Sequence, residues 1–150
     1  MPQSLSKVYV HLVFSTKHQM EIIDPHIEQE LYPYMSKICR ECDSPCLTIN
    51  SVPNHIHLLI LLSRKVTISQ VVEKIKKTSS KWIKTKGSKY QHFYWQNGYG
   101  AFSISQSHIN IVKKYIANQK IHHQKTNFKD EYRKLLNKFE IEFDEKYVWD

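Results

Sequence analysis

The chain alternates between two hydrophobic periods, and their order predicts its secondary structure. Residues 7–17, KVYVHLVFSTK, place apolar side chains at every second position, which is typical of a strand. Two further β-prone runs follow, CLTINSV at 46–52 and HIHLLILL at 55–62, the latter entered through a turn-favouring Pro53-Asn54 pair. A fourth segment, HFYWQNGYGAFSIS at 92–105, is aromatic and β-prone, and its two glycines indicate a bulge or a close backbone approach.

The sequence between and after these predicted strands shows helical periodicity. Asp24 followed by Pro25 is typical of a helix N-terminus, and apolar residues then recur at helical spacing up to Cys42. Pro33 interrupts this pattern, so we expect a kink or a late helix start there. The clearest helix is TISQVVEKIKKTSSKWIKTK at 67–86, with Trp82 on its apolar face. Two more helices are predicted over residues 106–124 and 127–141.

The order β-α-β-β-α-β, followed by two helices, predicts an α+β fold of the ferredoxin-like (RRM-like) kind. Two right-handed crossovers would give an antiparallel four-stranded sheet with helices on one face. The other face would be open for a ligand or a further helix. A length of 150 residues fits one domain over residues 1–150.

Composition excludes several protein classes. The chain is 41% hydrophobic with only three glycines and five prolines, so it is not disordered. Its longest apolar run, LLILL, is too short to span a membrane, and no secretory signal is visible, so we expect a cytoplasmic protein. Cys39, Cys42 and Cys46 are odd in number and include only one CxxC, which favours free thiols over a disulfide framework or a zinc site.

The positive charge is concentrated in one segment. The formal net charge is +8, and residues 63–89 contain nine basic residues and one acid, a local excess of nine minus one, or +8. Helical spacing places four of these lysines in a stripe opposite the apolar face of the helix: Lys74, Lys77, Lys81 and Lys84. A stripe of this kind favours a polyanionic partner. The alternative interpretation is a solvated helix face whose lysines bind no partner.

Two histidines begin the most apolar run of the chain. In a strand, His55 and His57 would point to the same face while Ile56 points to the other. Two imidazoles that converge on one point make half of a metal site. A lone HxH in a strand is more often a pair of hydrogen-bonded histidines without a metal, so the metal interpretation needs a third ligand.

The predicted helix at 106–124 offers candidates for the rest of such a site. Tyr115 and Gln119 are four residues apart and therefore share a helix face. A tyrosine one turn before a metal-binding glutamine would have its phenolic oxygen beside the metal. Tyr115 taken alone also fits a helix aromatic packed on the sheet.

Several stretches together resemble the single-tyrosine HUH transposases of the small single-strand insertion sequences, including their REP-associated relatives. The matching motifs are PNHIHLLI, WQNGYGAFSIS and YIANQKIHH, supported by VYVHLVFSTK near the start and FKDEYRKLL near the end. The resemblance implies that His55 and His57 bind a divalent metal, that Gln119 is the third ligand and that Tyr115 is the nucleophile. The family motif requires no metal role for His123.

The resemblance also implies a function. Tyr115 would attack a phosphodiester of single-stranded DNA and form a 5′-phosphotyrosine, with Mg²⁺ or Mn²⁺ as cofactor and no nucleotide cofactor. The partners would be a DNA hairpin at element ends and a second copy of the chain, without a membrane. The lysine stripe, Trp95 and Gln96 are candidate DNA contacts. Packing in the hydrophobic core is an equally good interpretation of Trp95 and Gln96.

Other readings of the sequence stay possible. A histidine-triad nucleotide hydrolase would need a third histidine where the chain has Leu59. A non-catalytic RNA- or single-stranded-DNA-binding module shares the element order, but it would place aromatic residues where the central strands carry histidines. A domesticated relative that processes host repeats would keep the same residues and chemistry.

Overall fold

The computed structural model describes residues 2–150, and its strands form a single antiparallel sheet. The strands are β1 (Val8–Ser15), β2 (Cys46–Val52), β3 (His55–Leu62) and β4 (Gly100–Ile104), arranged in the order β2-β3-β1-β4. The helices are α1 (Pro25–Glu41), α2 (Ile68–Ile83), α3 (Ile109–Ala117), α4 (Gln119–His122) and α5 (Phe128–Lys138). This arrangement confirms the α+β, ferredoxin-like fold.

The two faces of the sheet have different coverings. Strand β1 pairs with β3 and β4, and Val13 and Ser15 lie opposite His57 and His55. Side chains alternate along each strand, so these four residues share one face. The opposite face of the sheet packs against α1 and α2 in the main hydrophobic core, which includes Val10, Leu12, Phe14, Ile56, Leu58, Ile60, Leu31, Met35, Val72 and Ile75.

Helix α1 begins where the sequence places its N-cap. The Asp24 side chain accepts a hydrogen bond from the Ile27 amide, 2.9 Å away, and Pro25 occupies the first turn. The helix then continues through Pro33 to Glu41, so the alternative of a late start is wrong. The buried residues before and after Pro33 face the same core, and their packing outweighs the local cost of the proline.

Helix α2 is amphipathic as predicted, although it ends a few residues early. Thr67 and Gln70 form a capping box at its start. Lys84–Lys86 form a 3₁₀ turn that Gly87 ends, with a φ of 146° that a residue with a side chain rarely adopts. Trp82 is half-buried and stacks on Tyr34, with ring centroids 4.6 Å apart.

Helices α3, α4 and α5 cover the face of the sheet that carries the histidines. Asn50 on β2 donates from Nδ2 to the Ile116 and Ala117 carbonyls, at 2.9 and 3.2 Å, which anchors the end of α3. A Cβ on Gly100 would lie 2.7 Å from Cε1 of Tyr132, so the close backbone approach that the sequence indicates occurs where α5 meets β4. This face therefore receives further helices, one of the two alternatives left open by the sequence.

Two segments differ from their predicted structure. Only Gly100–Ile104 of the aromatic segment forms a strand, and residues 92–99 form a loop joined to β1 by a Thr16–Trp95 bridge. The helix predicted over 106–124 is divided at Asn118 into α3 and α4. No helix within residues 2–150 combines the length and apolarity that a bilayer crossing requires. The three cysteines are free thiols.

Candidate active site

The two histidines of β3 point to one place on the helix-covered face of the sheet. His55 and His57 are fully buried, and their ring centroids are 5.2 Å apart. Ile56, between them, packs into the main core on the opposite face. The alternation predicted from HIH is therefore present, and both imidazoles are removed from bulk water.

Each of these rings is held by a partner on its Nδ1 atom. His57 Nδ1 lies 2.8 Å from Nε2 of His11, on the neighbouring strand, and His55 Nδ1 lies 2.7 Å from Oδ1 of Asn54. Both Nε2 atoms are thus directed away from the sheet. Burial lowers the pKa of His55 to about 4, and burial together with the nearby His57 lowers the pKa of His11 well below its ordinary value. His55 and His11 are consequently neutral near pH 7.

Tyr115 and Gln119 approach the histidines from above the sheet. Tyr115 lies in the last turns of α3, with its ring centroid 5.8 Å from that of His57. Gln119 is buried at the start of α4, and its Oε1 atom is 3.4 Å from Nε2 of His55. The break at Asn118 therefore separates them into two helices, but the structure still brings both together with His55 and His57.

A buried carboxylate that the sequence reasoning missed lies between these groups. Glu131 on α5 is only 2% exposed, and its Oε1 atom is 3.1 Å from Nε2 of both His55 and His57. Its Oε2 atom accepts hydrogen bonds from the Tyr115 hydroxyl and from Nε2 of Gln119, the latter at 2.9 Å. One carboxylate thus joins the candidate nucleophile to the candidate metal ligands.

The environment shifts the ionisation of both acidic groups. Burial alone would raise the pKa of the Glu131 carboxyl, but its close contacts with the ring nitrogens of His123, His55 and His57 hold it well below its usual range. Burial and the negative charge of Glu131 raise the pKa of Tyr115. The carboxylate is therefore ionised and the phenol is protonated in the resting site.

A signal for Glu131 exists in the sequence. Phe128, Tyr132 and Leu136 are buried at helical spacing, and Glu131 falls on the same side of α5. An acidic residue on the buried stripe of a helix usually has a polar or charged partner, because an unpaired buried charge is costly. The identity of that partner depends on how α5 docks, which the helical period does not reveal.

His123 also reaches the carboxylate. Its Nε2 atom is 3.0 Å from Oε1 of Glu131, and its Nδ1 atom is 2.9 Å from the Thr126 carbonyl oxygen. Donor atoms of His55, His57, His123 and Glu131 all lie within 4.8 Å of one another, which is a set of groups able to hold a metal ion. Three nitrogens and one oxygen are common ligands of divalent transition metals.

The lysine stripe lies on the far side of the molecule. Lys74, Lys77 and Lys81 are exposed, whereas Lys84 is half-buried, donates to Oγ of Ser80 at 2.7 Å and lies 4.0 Å from the ring centroid of Tyr94. Because α2 packs on the face opposite to His55 and His57, the sheet separates the stripe from the candidate active site.

Trp95 and Gln96 are buried at the junction of the 92–99 loop with the sheet. The Trp95 ring packs edge-on against Phe14, and its Nε1 donates to Oγ of Ser79 at 2.9 Å. Gln96 Oε1 accepts from the Ser15 amide at 2.8 Å. Their role in DNA binding stays a prediction, and it would require these buried contacts to break so that the side chains could reach DNA. The neighbouring Tyr94 side chain is already 54% exposed.

Acid is expected to destabilise the fold through His55. Its pKa is about 4 in the folded protein against about 6.5 ordinarily, so between these values the unfolded chain binds a proton that the native state does not. Stability should fall as pH decreases from about 7 to about 4, by on the order of 3 kcal/mol from this residue. Thermal unfolding followed by circular dichroism, with a chelator present, measures the effect.

The matched variants for this experiment are His55→Asn and His92→Asn. The first should flatten the dependence of the unfolding temperature on pH, and the second, at an exposed histidine, should leave it unchanged. A His55→Asn protein with the same pH dependence as the parent would show that His55 is not the responsible group.

A ferredoxin-like sheet that carries paired strand histidines facing a helix tyrosine defines a class, the single-tyrosine HUH transposases. The chain belongs to the IS200-like transposase family: the family model described as "Transposase IS200 like" matches residues 4–119. A comparison with functionally curated proteins gave no match.

Two solved structures are similar in fold. A candidate transposase from Deinococcus radiodurans R1 is 19% identical with a TM-score of 0.62, and the match covers 79% of this chain and 98% of that one. A REP-associated tyrosine transposase, solved bound to a REP hairpin, is 16% identical with a TM-score of 0.62, over 82% of this chain and 73% of that one. Both likenesses concern the fold.

Proposed function

We propose that this protein cleaves and rejoins single-stranded DNA at element ends through a 5′-phosphotyrosine intermediate. The observation that carries the proposal is the convergence of the Tyr115 hydroxyl and the His55 and His57 imidazoles on one buried carboxylate. Membership of the transposase family supports a DNA-processing activity, and the geometry supports this assignment of roles.

The proposed ligands of the divalent metal are His55, His57 and Gln119. Buried imidazoles fit a metal because each has its Nδ1 atom engaged and its Nε2 atom directed into the site. The amide oxygen of Gln119, 3.4 Å from Nε2 of His55, is near enough to join them. When bound, Mg²⁺ or Mn²⁺ would polarise the scissile phosphate and offset its negative charge.

Tyr115 supplies the nucleophile in this mechanism. Its oxygen attacks the phosphorus, an O–P bond forms to the enzyme, and the bond from phosphorus to the 3′ oxygen breaks to leave a free 3′-hydroxyl. The tyrosine proton is released as the bond forms, and the departing 3′ oxygen takes up a proton. Attack by another 3′-hydroxyl reverses the sequence, so no nucleotide cofactor is needed.

Glu131 has a positioning role toward the nucleophile. Its Oε2 atom accepts the Tyr115 hydroxyl hydrogen, which fixes the direction of the phenolic oxygen. The low pKa of this carboxyl makes it a weak proton acceptor, so orientation is the larger contribution. Within a single chain the Tyr115 hydroxyl already reaches the histidine site, which supports cleavage in cis within the proposed homodimer.

The proposed substrate is a hairpin with an adjoining single strand, processed in the cytoplasm. The similar structure solved with a REP hairpin supports this partner, although that ligand belongs to the other protein. An element end and a host repeat would undergo the same chemistry, so a mobile transposase and a domesticated one share this proposal.

The test is an adduct assay. The protein is mixed with Mg²⁺ or Mn²⁺ and labelled single-stranded DNA from the element end, and a denaturation-resistant protein–DNA band is expected, with the label on the peptide containing Tyr115. Fully paired DNA of the same sequence is the control and should give no band. Tight RNA binding without cleavage of any DNA strand would favour the binding-module alternative instead.

The lysine stripe is proposed to hold the DNA backbone outside the catalytic centre. Because the sheet lies between the stripe and His55, the bound segment would be the hairpin or flanking DNA rather than the scissile phosphate. Replacing Lys74, Lys77 and Lys81 by glutamine should weaken hairpin binding at low salt. The slope of log affinity against log salt should become shallower by about 2–3.

A charge-matched control distinguishes the effect of the lysine stripe on DNA binding from the effect of net charge. Lys7, Lys37 and Lys146 are exposed and scattered over the surface, and their replacement by glutamine removes the same net charge. We expect this control to change the salt slope much less. Equal effects of the two triple variants, measured by fluorescence anisotropy over a salt series, would assign binding to net charge and not to the stripe.

A further inference from the structure

His123 and Glu131 lie beyond the residues that the family model matches, yet both contact the histidines of β3. The matched region ends at residue 119, whereas His123 follows α4 and Glu131 lies in α5. Their side chains are 9% and 2% exposed, respectively. Two groups from the C-terminal part of the chain are thus built into the centre of the site.

The hydrogen bonds of His123 fix which ring nitrogen carries the proton. Its Nδ1 atom is 2.9 Å from the carbonyl oxygen of Thr126, and a carbonyl only accepts, so Nδ1 carries the hydrogen. In the neutral ring Nε2 then presents a lone pair, and it lies 3.0 Å from the carboxylate oxygen Oε1 of Glu131. Two acceptors at this distance repel each other unless a cation lies between them.

His55 shows the same arrangement. Its Nδ1 atom is 2.7 Å from Oδ1 of Asn54, and its Nε2 atom is 3.1 Å from the same Oε1 atom of Glu131. With the Asn54 oxygen as acceptor, His55 also directs a lone pair at the carboxylate. An imidazole that donates from one nitrogen to an oxygen and directs the other at a shared point is typical of a metal ligand.

The spacing of the donor atoms also fits a metal. Oε1 of Glu131 lies 3.1, 3.1 and 3.0 Å from Nε2 of His55, His57 and His123. Ligands bonded to one divalent ion at about 2.1 Å are separated by roughly 3.0–3.4 Å in octahedral or tetrahedral geometry. The carboxylate oxygen is therefore at ligand-to-ligand distance from all three imidazoles.

We propose that His123 and Glu131 are further ligands of the same divalent metal as His55, His57 and Gln119, which adds one imidazole and one carboxylate to the donors of the proposed site. This inference rests on the proposed function only in placing a metal at the two β3 histidines. It deepens that proposal, because it makes the metal site dependent on α5 and on the segment after α4.

The donor set has a consequence for metal choice. Imidazole nitrogen suits Mn²⁺ and the later divalent transition metals, whereas Mg²⁺ prefers oxygen ligands and keeps several waters. A donor set that includes three imidazole nitrogens should therefore bind Mn²⁺ more tightly than Mg²⁺. Because the Glu131 Oε2 atom also accepts from Tyr115, loss of this carboxylate should affect both the metal and the nucleophile.

The experiment measures metal binding without DNA. Isothermal titration and Mn²⁺ electron paramagnetic resonance are recorded on the full chain and on His123→Ala, Glu131→Gln and His55→Ala. Each variant should bind Mn²⁺ at least ~10-fold more weakly than the parent. The matched control is His122→Ala, since the Nε2 atom of this adjacent histidine is 3.5 Å from the other carboxylate oxygen, and its Mn²⁺ affinity should stay within about twofold.

The outcomes separate this inference from the proposed function. Parental Mn²⁺ affinity in both His123→Ala and Glu131→Gln, with loss only in His55→Ala, would overturn it and leave His123 as a hydrogen-bond partner of Glu131 without a metal role. Absence of Mn²⁺ binding by the parent, or Mg²⁺ binding as tight as that of Mn²⁺, would also contradict it. Weakened Mn²⁺ binding together with no adduct in the parent would support the metal site and reject the transposase mechanism.

Folding of the variants is checked by circular dichroism. Glu131 is deeply buried, and Glu131→Gln keeps the side-chain shape while it removes the charge and replaces one carboxylate oxygen with an amide NH2 group. The His123 side chain is 9% exposed, so its truncation to alanine opens a gap at the edge of the site. If Glu131→Gln does not fold, the His123→Ala measurement alone decides the proposal.

Discussion

Replacement of Tyr115 by phenylalanine is expected to abolish the covalent protein–DNA adduct, with a loss of at least ~10³-fold in its rate of formation. The phenolic oxygen is the atom that would bond to phosphorus, and no other tyrosine hydroxyl within residues 2–150 donates a hydrogen bond to Glu131. Phenylalanine keeps the ring, whose centroid is 5.8 Å from that of His57. The variant should therefore differ from the parent in chemistry and not in packing.

The structure offers a close control for this substitution. Tyr9 lies on the same face of the sheet and belongs to the same small hydrophobic cluster as Tyr115. Tyr9→Phe removes a tyrosine hydroxyl from the same cluster and should leave the adduct unchanged. The unfolding free energy of Tyr115→Phe should stay within about 1 kcal/mol of the parent, because the carboxylate that loses the hydroxyl still accepts from Gln119.

The assay measures both adduct and DNA binding on the same hairpin substrate. Hairpin affinity of Tyr115→Phe should match that of the parent, since the proposed backbone contacts lie on α2. An adduct that persists at the parental rate would assign the nucleophile to another residue. Equal losses in Tyr9→Phe and Tyr115→Phe would indicate a structural effect of removing hydroxyls from this face.

The part of the site that could be predicted from sequence is the part set by local geometry. Alternation along a strand places His55 and His57 on one face, and it needs no knowledge of the rest of the fold. The spacing of Tyr115 and Gln119 indicates that they lie near each other, and the structure retains this proximity despite the break at Asn118. The order of strands and helices likewise predicts the sheet.

The remainder depends on packing between distant segments. Glu131 is 74 residues from His57 along the chain, and only the docking of α5 on β4, permitted by the missing side chain of Gly100, brings them together. Trp95 lies in an aromatic segment whose pattern fits both base stacking and core packing, and contacts with Phe14 and Ser79 bury it. Local patterns carry no information about these partners.

Replacement of His57 by alanine is expected to lower metal-dependent cleavage by roughly 10²–10³-fold while hairpin affinity stays within about twofold. His57 Nε2 lies 3.1 Å from Oε1 of Glu131, and Nδ1 is paired with His11 at 2.8 Å. Alanine removes a proposed metal ligand from the interior of the sheet and touches no residue of the lysine stripe. Rates of strand cleavage over a Mn²⁺ series and anisotropy on uncleavable DNA separate the two effects.

His108→Ala is the control, because this histidine is exposed and its Nδ1 atom contacts the hydroxyl groups of Ser105 and Ser107. Full cleavage by His57→Ala would refute the metal site. Mixing His57→Ala with Tyr115→Phe then tests how the proposed dimer is assembled. Since the Tyr115 hydroxyl reaches the histidines of its own chain, the mixture should form no adduct, and restored activity would mean that the tyrosine of one subunit serves the histidines of the other.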